Sequence, residues 1–276
     1  MSEPFHPPLE LADLPPGHRL YLLACPTMSD SSMVWGTEAE VGPLREEVSR
    51  RNREADLFLT PVHFFVKAVE RALSDHPEVN RRILRGRIRP YVGHHLFLST
   101  QVRDGSASLV YLPNVQEMCV EEIGRMVWTR LLEERVTSGR EGVLARRRYP
   151  ILRILGPRIS GVLFRTVLSW MDRRASERYG QALGVGAPVL VNYLGGRGMP
   201  PMRSFHPSRL PLGFALTSVT FGTSERRPVA NERGVEARWM VPVHVRSDHR
   251  LVDGIELGRF TATIKEYVEH PERLTR

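Results

Sequence analysis

His249 and Asp253 stand four residues apart and are followed at once by Gly254, in the run Asp248-His-Arg-Leu-Val-Asp-Gly254. An imidazole titrates near neutrality, so a histidine held at the mouth of a cleft can take a proton and return it at physiological pH. With ten His, eight Asp and 22 Gly in 276 residues, this spacing is expected by chance about 0.02 times, and a motif so short still needs a fitting structural setting. Cys25 and Cys119 are the only cysteines. Neither has a Cys or His at metal-ligand spacing, so the chain is read as holding two reduced thiols, no metal site and a cytoplasmic location.

The elements around the motif must supply its setting. Val235 to Arg246 reads as a strand that delivers His249, preceded by a turn at Asn231-Glu-Arg-Gly234 whose asparagine and glycine accept positive φ. Ile255 to Val268 is helical in period and is closed by His270-Pro271. Strand, loop and helix therefore follow one another as the motif requires. Upstream, Met33–Val41 reads as a strand and Pro43–Asn52 as a helix. Thr60-Pro61 starts a clearer helix, with Val62, Phe65, Val66, Val69 and Leu73 at helical spacing and a stop at His76-Pro77. Strands are expected around Arg87–Val92, Leu96–Val102, Leu109–Leu112, Pro188–Asn192 and Gly213–Phe221, and a helix over Val120–Glu134.

The formal charge is +8 and the pI near 10.0. Of 39 basic residues only Lys67 and Lys265 are lysine, leaving 37 arginines. Such a skew is as easily a matter of nucleotide composition as of partners. Arg81, Arg82, Arg85, Arg87 and Arg89 form one cluster and Arg146-Arg147-Arg148 another, each read as a solvated basic face. Without aromatic interleaving or finger-type spacing they give no case for nucleic-acid binding. Tyr149–Met171 approaches membrane-spanning length, but Arg153, Arg158 and Arg165 punctuate it, and two short amphipathic helices broken at Gly156-Pro157 fit better. Their apolar faces suit core or subunit packing first and peripheral membrane contact last.

These residues carry a resemblance. Asp248 to Gly254, followed by Arg259-Phe260 and by Glu269-His-Pro-Glu-Arg-Leu274, resembles the end of the 2-oxo acid dehydrogenase acyltransferase catalytic domain. Val66-Lys-Ala-Val-Glu-Arg-Ala-Leu73 with His76-Pro-Glu-Val-Asn80 is similar to an internal helix and Pro-x-x-Asn signature of that domain. Asn192-Tyr-Leu-Gly195 falls where the family carries a Ser-Asn-Leu-Gly-like sequence. The resemblance spans about residue 19 to 276, after an irregular leader of residues 1–18.

It implies an α/β fold of the chloramphenicol acetyltransferase type: a two-layer sandwich with a mixed sheet, assembled as a homotrimer or as a cage of trimers. It also implies coenzyme A or acyl-coenzyme A as substrate, His249 as general base, and Asp253 as a loop-shaping residue with Arg19 as its partner. Asn192 occupies the position of the family's oxyanion-stabilising hydroxyl. An amide can donate to an oxyanion, but it is longer and planar, and the alternative is a catalytically degenerate scaffold kept for oligomerisation or partner binding. No lysine sits at a hairpin tip, since Lys67 and Lys265 fall in expected helices, so covalent lipoate is not expected. An apolar helical insertion at about 145–180 departs from the family pattern, and the acyl donor and acceptor stay open.

Overall fold

Thr60, in extended conformation (φ −132°), and Pro61 start the helix on which the sheet packs, because proline's fixed φ and missing N–H cost nothing in a first turn. The computed structural model describes residues 31–54, 58–84, 87–101, 107–132, 189–195, 217–232 and 234–274. The leader, Arg19, the Arg146–Arg148 cluster and the 145–180 insertion with Tyr149–Met171 lie outside the described residues. In chain order the elements are β1 (Ser32–Glu40), α1 (Gly42–Glu54), α2 (Pro61–Asp75), β2 (Arg81–Leu84), β3 (Arg87–Pro90), β4 (Leu96–Gln101) and β5 (Ala107–Leu112). Then come α3 (120–132), β6 (Val189–Tyr193), β7 (Thr217–Phe221), β8 (Glu225–Asn231), β9 (Gly234–Asp248) and α4 (Gly254–Glu269).

Seven strands form one mixed sheet in the order β1-β9-β7-β6-β4-β5, with β8 added beside β9. The pairs β4–β6 and β6–β7 are parallel; the other pairs in the sheet are antiparallel. Side chains alternate faces along a strand. Val241, Val243 and Val245 share one apolar cluster with Phe64, Phe65 and Val69 of α2 and Phe260 of α4. Phe65 stacks on Phe221 with centroids 4.1 Å apart. The opposite face carries a smaller cluster of Phe97, Leu190 and Tyr111. Two layers, helices over a mixed sheet, make up the described fold, as the resemblance implied.

β9 is long and changes character along its length. Its first four residues are exposed and its last eight buried, because the first half pairs with β8 and the second lies between β1 and β7. The β8–β9 turn sits where it was expected: Asn231 pairs with Gly234, whose φ of +125° favours glycine. Pro228 is tolerated because β8 pairs only with β9 and is a sheet edge.

One expectation is corrected. Within the Arg81–Arg89 cluster, Arg82 is buried rather than solvated while Arg87 is exposed, and β2 and β3 pair there as a separate two-stranded sheet. Arg51 and Arg246 are buried too. Among the described residues no helix is long and apolar enough to cross a membrane.

Candidate functional site

The loop after β9 is built by hydrogen bonds that converge on Asp248. Its Oδ1 accepts from the Ser31 hydroxyl at 2.8 Å and from the Arg250 backbone N–H at 2.9 Å. The Arg250 guanidinium grips both carboxylate oxygens, Nε at 3.0 Å from Oδ1 and Nη2 at 2.6 Å from Oδ2, the two-pronged geometry that gives such pairs their rigidity. The Leu251 N–H closes the turn on the Asp248 carbonyl at 2.9 Å, and the fully buried Leu251 and Val252 anchor it to the core. The His249 N–H donates to the Ser31 carbonyl at 2.8 Å. The imidazole is therefore carried, half-buried, on a backbone fixed at both ends.

Asp253 closes this loop as the cap of the helix that follows. Its carboxylate accepts from the Glu256 N–H at 2.8 Å while Glu256 accepts from the Asp253 N–H at 2.8 Å. This reciprocal pair is a capping box that starts α4. The arginine–carboxylate pair seen in the loop is Arg250 with Asp248; Arg19 lies outside the described residues.

Asn192 stands elsewhere. It is 3% exposed near the end of β6, and its Nδ2 donates to Thr220 Oγ1 at 3.3 Å. The sheet register aligns Ser99, Asn192, Thr220, His244 and Gly36 in one row across five strands. Gly36 leaves room for the His244 ring: a Cβ there would sit 3.1 Å from its Cδ2. His249 follows His244 by five residues along a strand two places from β6. At strand rise and strand spacing that separates His249 from Asn192 by roughly 20 Å. Within one chain the two do not meet.

Sequence reasoning passed over the buried polar groups. His244 and Arg246 alternate with the β9 valines and so read as solvent-facing, yet both are 6% exposed. Lys67, expected only to be helical, is buried on α2. Its Nζ lies 2.7 Å from Glu70 Oε2, and Glu70 Oε1 accepts from His94 Nδ1 at 3.0 Å and from the Ser74 hydroxyl at 3.0 Å. Burial works to raise the Glu70 carboxyl, but hydrogen bonds from His94 and Lys67 hold it below its ordinary value. The i, i+3 spacing of Lys67 and Glu70 on the apolar side of a helix was the available signal. Among the described residues no group of three or more His, Cys, Asp or Glu is placed to hold a metal ion.

Residues 214–276 match the family model described as 2-oxoacid dehydrogenases acyltransferase (catalytic domain). Comparison with curated protein sequences gives no match. In fold the chain is similar to a probable dihydrolipoamide acetyltransferase from Listeria monocytogenes 4b F2365, at 18% identity over 94% of this chain and 90% of that one, with a TM-score of 0.61. It is similar to a chloramphenicol acetyltransferase, at 14% identity over 95% and 99% of the two chains, with a TM-score of 0.59. A third similar structure is the dihydrolipoamide acetyltransferase of Azotobacter vinelandii, at 14% identity over 98% of each chain, with a TM-score of 0.58. That enzyme was studied for the catalytic role of a serine, a histidine and an asparagine four positions after the histidine.

Proposed function

We propose that this chain, which carries the C-terminal segment and the fold of the 2-oxo acid dehydrogenase acyltransferase catalytic domain, is itself an acyltransferase. It moves an acyl group between coenzyme A and a thiol or other acceptor. His249 is the general base: it takes the proton from the incoming thiol, and the thiolate attacks the acyl thioester carbonyl. The tetrahedral oxyanion accepts a hydrogen bond from Asn192 Nδ2, which has a second hydrogen beyond the one given to Thr220. Collapse of the intermediate breaks the original C–S bond, and the departing thiolate recovers the proton from the His249 imidazolium. Asp253 and Asp248 hold the loop and take no part in the proton transfer.

The observation that carries this reading is the fixed His249 loop inside the segment that matches the family. The separation of His249 from Asn192 adds a condition: each site is completed by two copies of the chain, one giving the base and the next giving the amide. A homotrimer, with residues 19–276 acting as one catalytic domain, satisfies it. The test is acyl transfer from acetyl-coenzyme A to a small dithiol acceptor. Wild-type protein turns over, His249→Ala does not, and mixing His249→Ala with Asn192→Ala protomers restores part of the activity. Equal rates for wild type and His249→Ala would sink the assignment.

A second reading rests on Asn192 itself, an amide already bonded to Thr220 where the family has a hydroxyl. In that reading the fold is kept as a scaffold. Calorimetry with coenzyme A separates the two, since a scaffold shows no binding at millimolar ligand.

A further inference from the structure

The carboxyl ends of β4 and β6 meet the start of α2 and the C-terminal half of α3, and a cavity of about 180 Å³ lies between them. β5 lies outward of β4 while β7 lies on the far side of β6, so the chain leaves these neighbouring strands in opposite directions. Such switch points at carboxyl strand ends are where open α/β sheets leave a crevice. Leu98, Val127, Leu131, Trp128 and Tyr193 make its walls largely apolar, and Thr60, Ser99 and Thr100 add hydroxyl-bearing residues to the lining. The Trp128 indole donates to the Phe58 carbonyl at 2.8 Å, and the 69% exposed Phe58 ring tilts against it, keeping the indole in place.

His63 gives the cavity its polarity. It is 1% exposed, and its Nδ1 accepts the Thr60 backbone N–H at 3.1 Å. A ring nitrogen that accepts an N–H carries no proton, so the neutral ring bears its hydrogen on Nε2. Burial pushes the His63 pKa down to about 4, so the ring is neutral near pH 7. Burial also raises the Tyr193 phenol, which stays protonated. A chain with 39 basic residues thus lines this cavity with none of them among the described residues. Its surroundings favour neutral ligands over anions, because an unpaired charge is costly to desolvate.

We propose that this cavity binds a short, uncharged apolar group: the acyl chain of the substrate beyond its thioester carbonyl, branched or ring-sized and without a terminal carboxylate, any neutral oxygen on the bound group accepting from His63 Nε2. Naming that group an acyl chain rests on the acyltransferase reading; binding of the group does not. The size fits, since an apolar cavity of about 150 Å³ accepts benzene, while pockets for whole drug-sized ligands begin near 300 Å³.

Benzamide and benzoate share a ring and differ in charge, so calorimetric titration of the full chain with each is the direct test. Saturable benzamide binding, at least tenfold tighter than benzoate, is expected, and His63→Leu lowers it by up to about tenfold, the worth of one hydrogen bond. No benzamide binding, or equal affinity for benzoate, overturns the proposal in unaltered protein, whatever any variant does. Leu131→Trp fills the space and removes benzamide binding; retained binding in a variant that still melts cooperatively also overturns it. In the acyl-transfer assay Leu131→Trp lowers use of isobutyryl-coenzyme A relative to acetyl-coenzyme A by at least tenfold, and an unchanged ratio counts against the acyl chain as occupant. Benzamide binding without transfer from any acyl-coenzyme A overturns the acyltransferase reading alone.

Discussion

Where β9 ends, a guanidinium and two carboxylates are tied into the loop that carries His249: Arg250 on Asp248, and Asp253 as cap of α4. Where β6 ends, Asn192 is buried beside Thr220, and its neighbour Tyr193 helps line a separate cavity with neutral His63 and Trp128. The first region fixes charge at the boundary with water and suits a group that must gain and lose a proton. The second is lined by no charged side chain among the described residues and suits a neutral group. In the proposed reaction each supplies one half of the site, and the register of β6, β7 and β9 keeps His249 and Asn192 apart in one chain.

The comparison is broken most directly at its charged end. His249→Ala is expected to lower kcat/KM for acyl transfer by 10²–10⁴-fold, the usual worth of a general base, while leaving the melting temperature nearly unchanged because the ring is only half-buried. At the neutral end, Asn192→Ala should cost about 10²-fold in kcat with little change in KM, as loss of an oxyanion donor does. A KM effect instead would make Asn192 a binding residue.

The third test concerns pH. The folded-state pKa of His63 lies below its unfolded value of about 6.5. Its contribution to stability is thus complete above about pH 6.5 and is lost as pH falls toward 4. Urea denaturation at pH 7 and pH 5 should show a loss of about 2 kcal/mol that His63→Gln lacks. A equal loss in the variant would place the acid sensitivity elsewhere. The smallest expected effect is Asp253→Ala, about 1 kcal/mol of stability from a lost helix cap, with transfer reduced far less than by His249→Ala. Matching losses of activity would make Asp253 more than a cap.

What was legible in the sequence follows the range of the interactions. α2 and α4 were visible from helical spacing, Thr60-Pro61 and the two His-Pro stops, all local signals. The β8–β9 turn was visible from Asn231 and Gly234 for the same reason. β2 was missed because four residues inside an arginine-rich run show no alternation until paired with β3. His244 and the cavity were missed because they depend on register between strands far apart in the chain. Gly36 opens beside His244, and β4 meets β6 across a long intervening stretch of sequence. The His249 motif singled out a histidine for the proposed base; only the strand order placed it away from Asn192.

Lys67 has a consequence outside folding. It is one of two lysines, and its side chain is 1% exposed and bound to Glu70. Lys265, with a side chain 40% exposed near Glu269, is therefore the single accessible side-chain amine. Arginine stays protonated and does not attack thioesters. In the acyltransferase reading, activated acyl groups therefore meet one lysine side chain on the folded protein, and among side chains an amine-reactive label would report on that one alone.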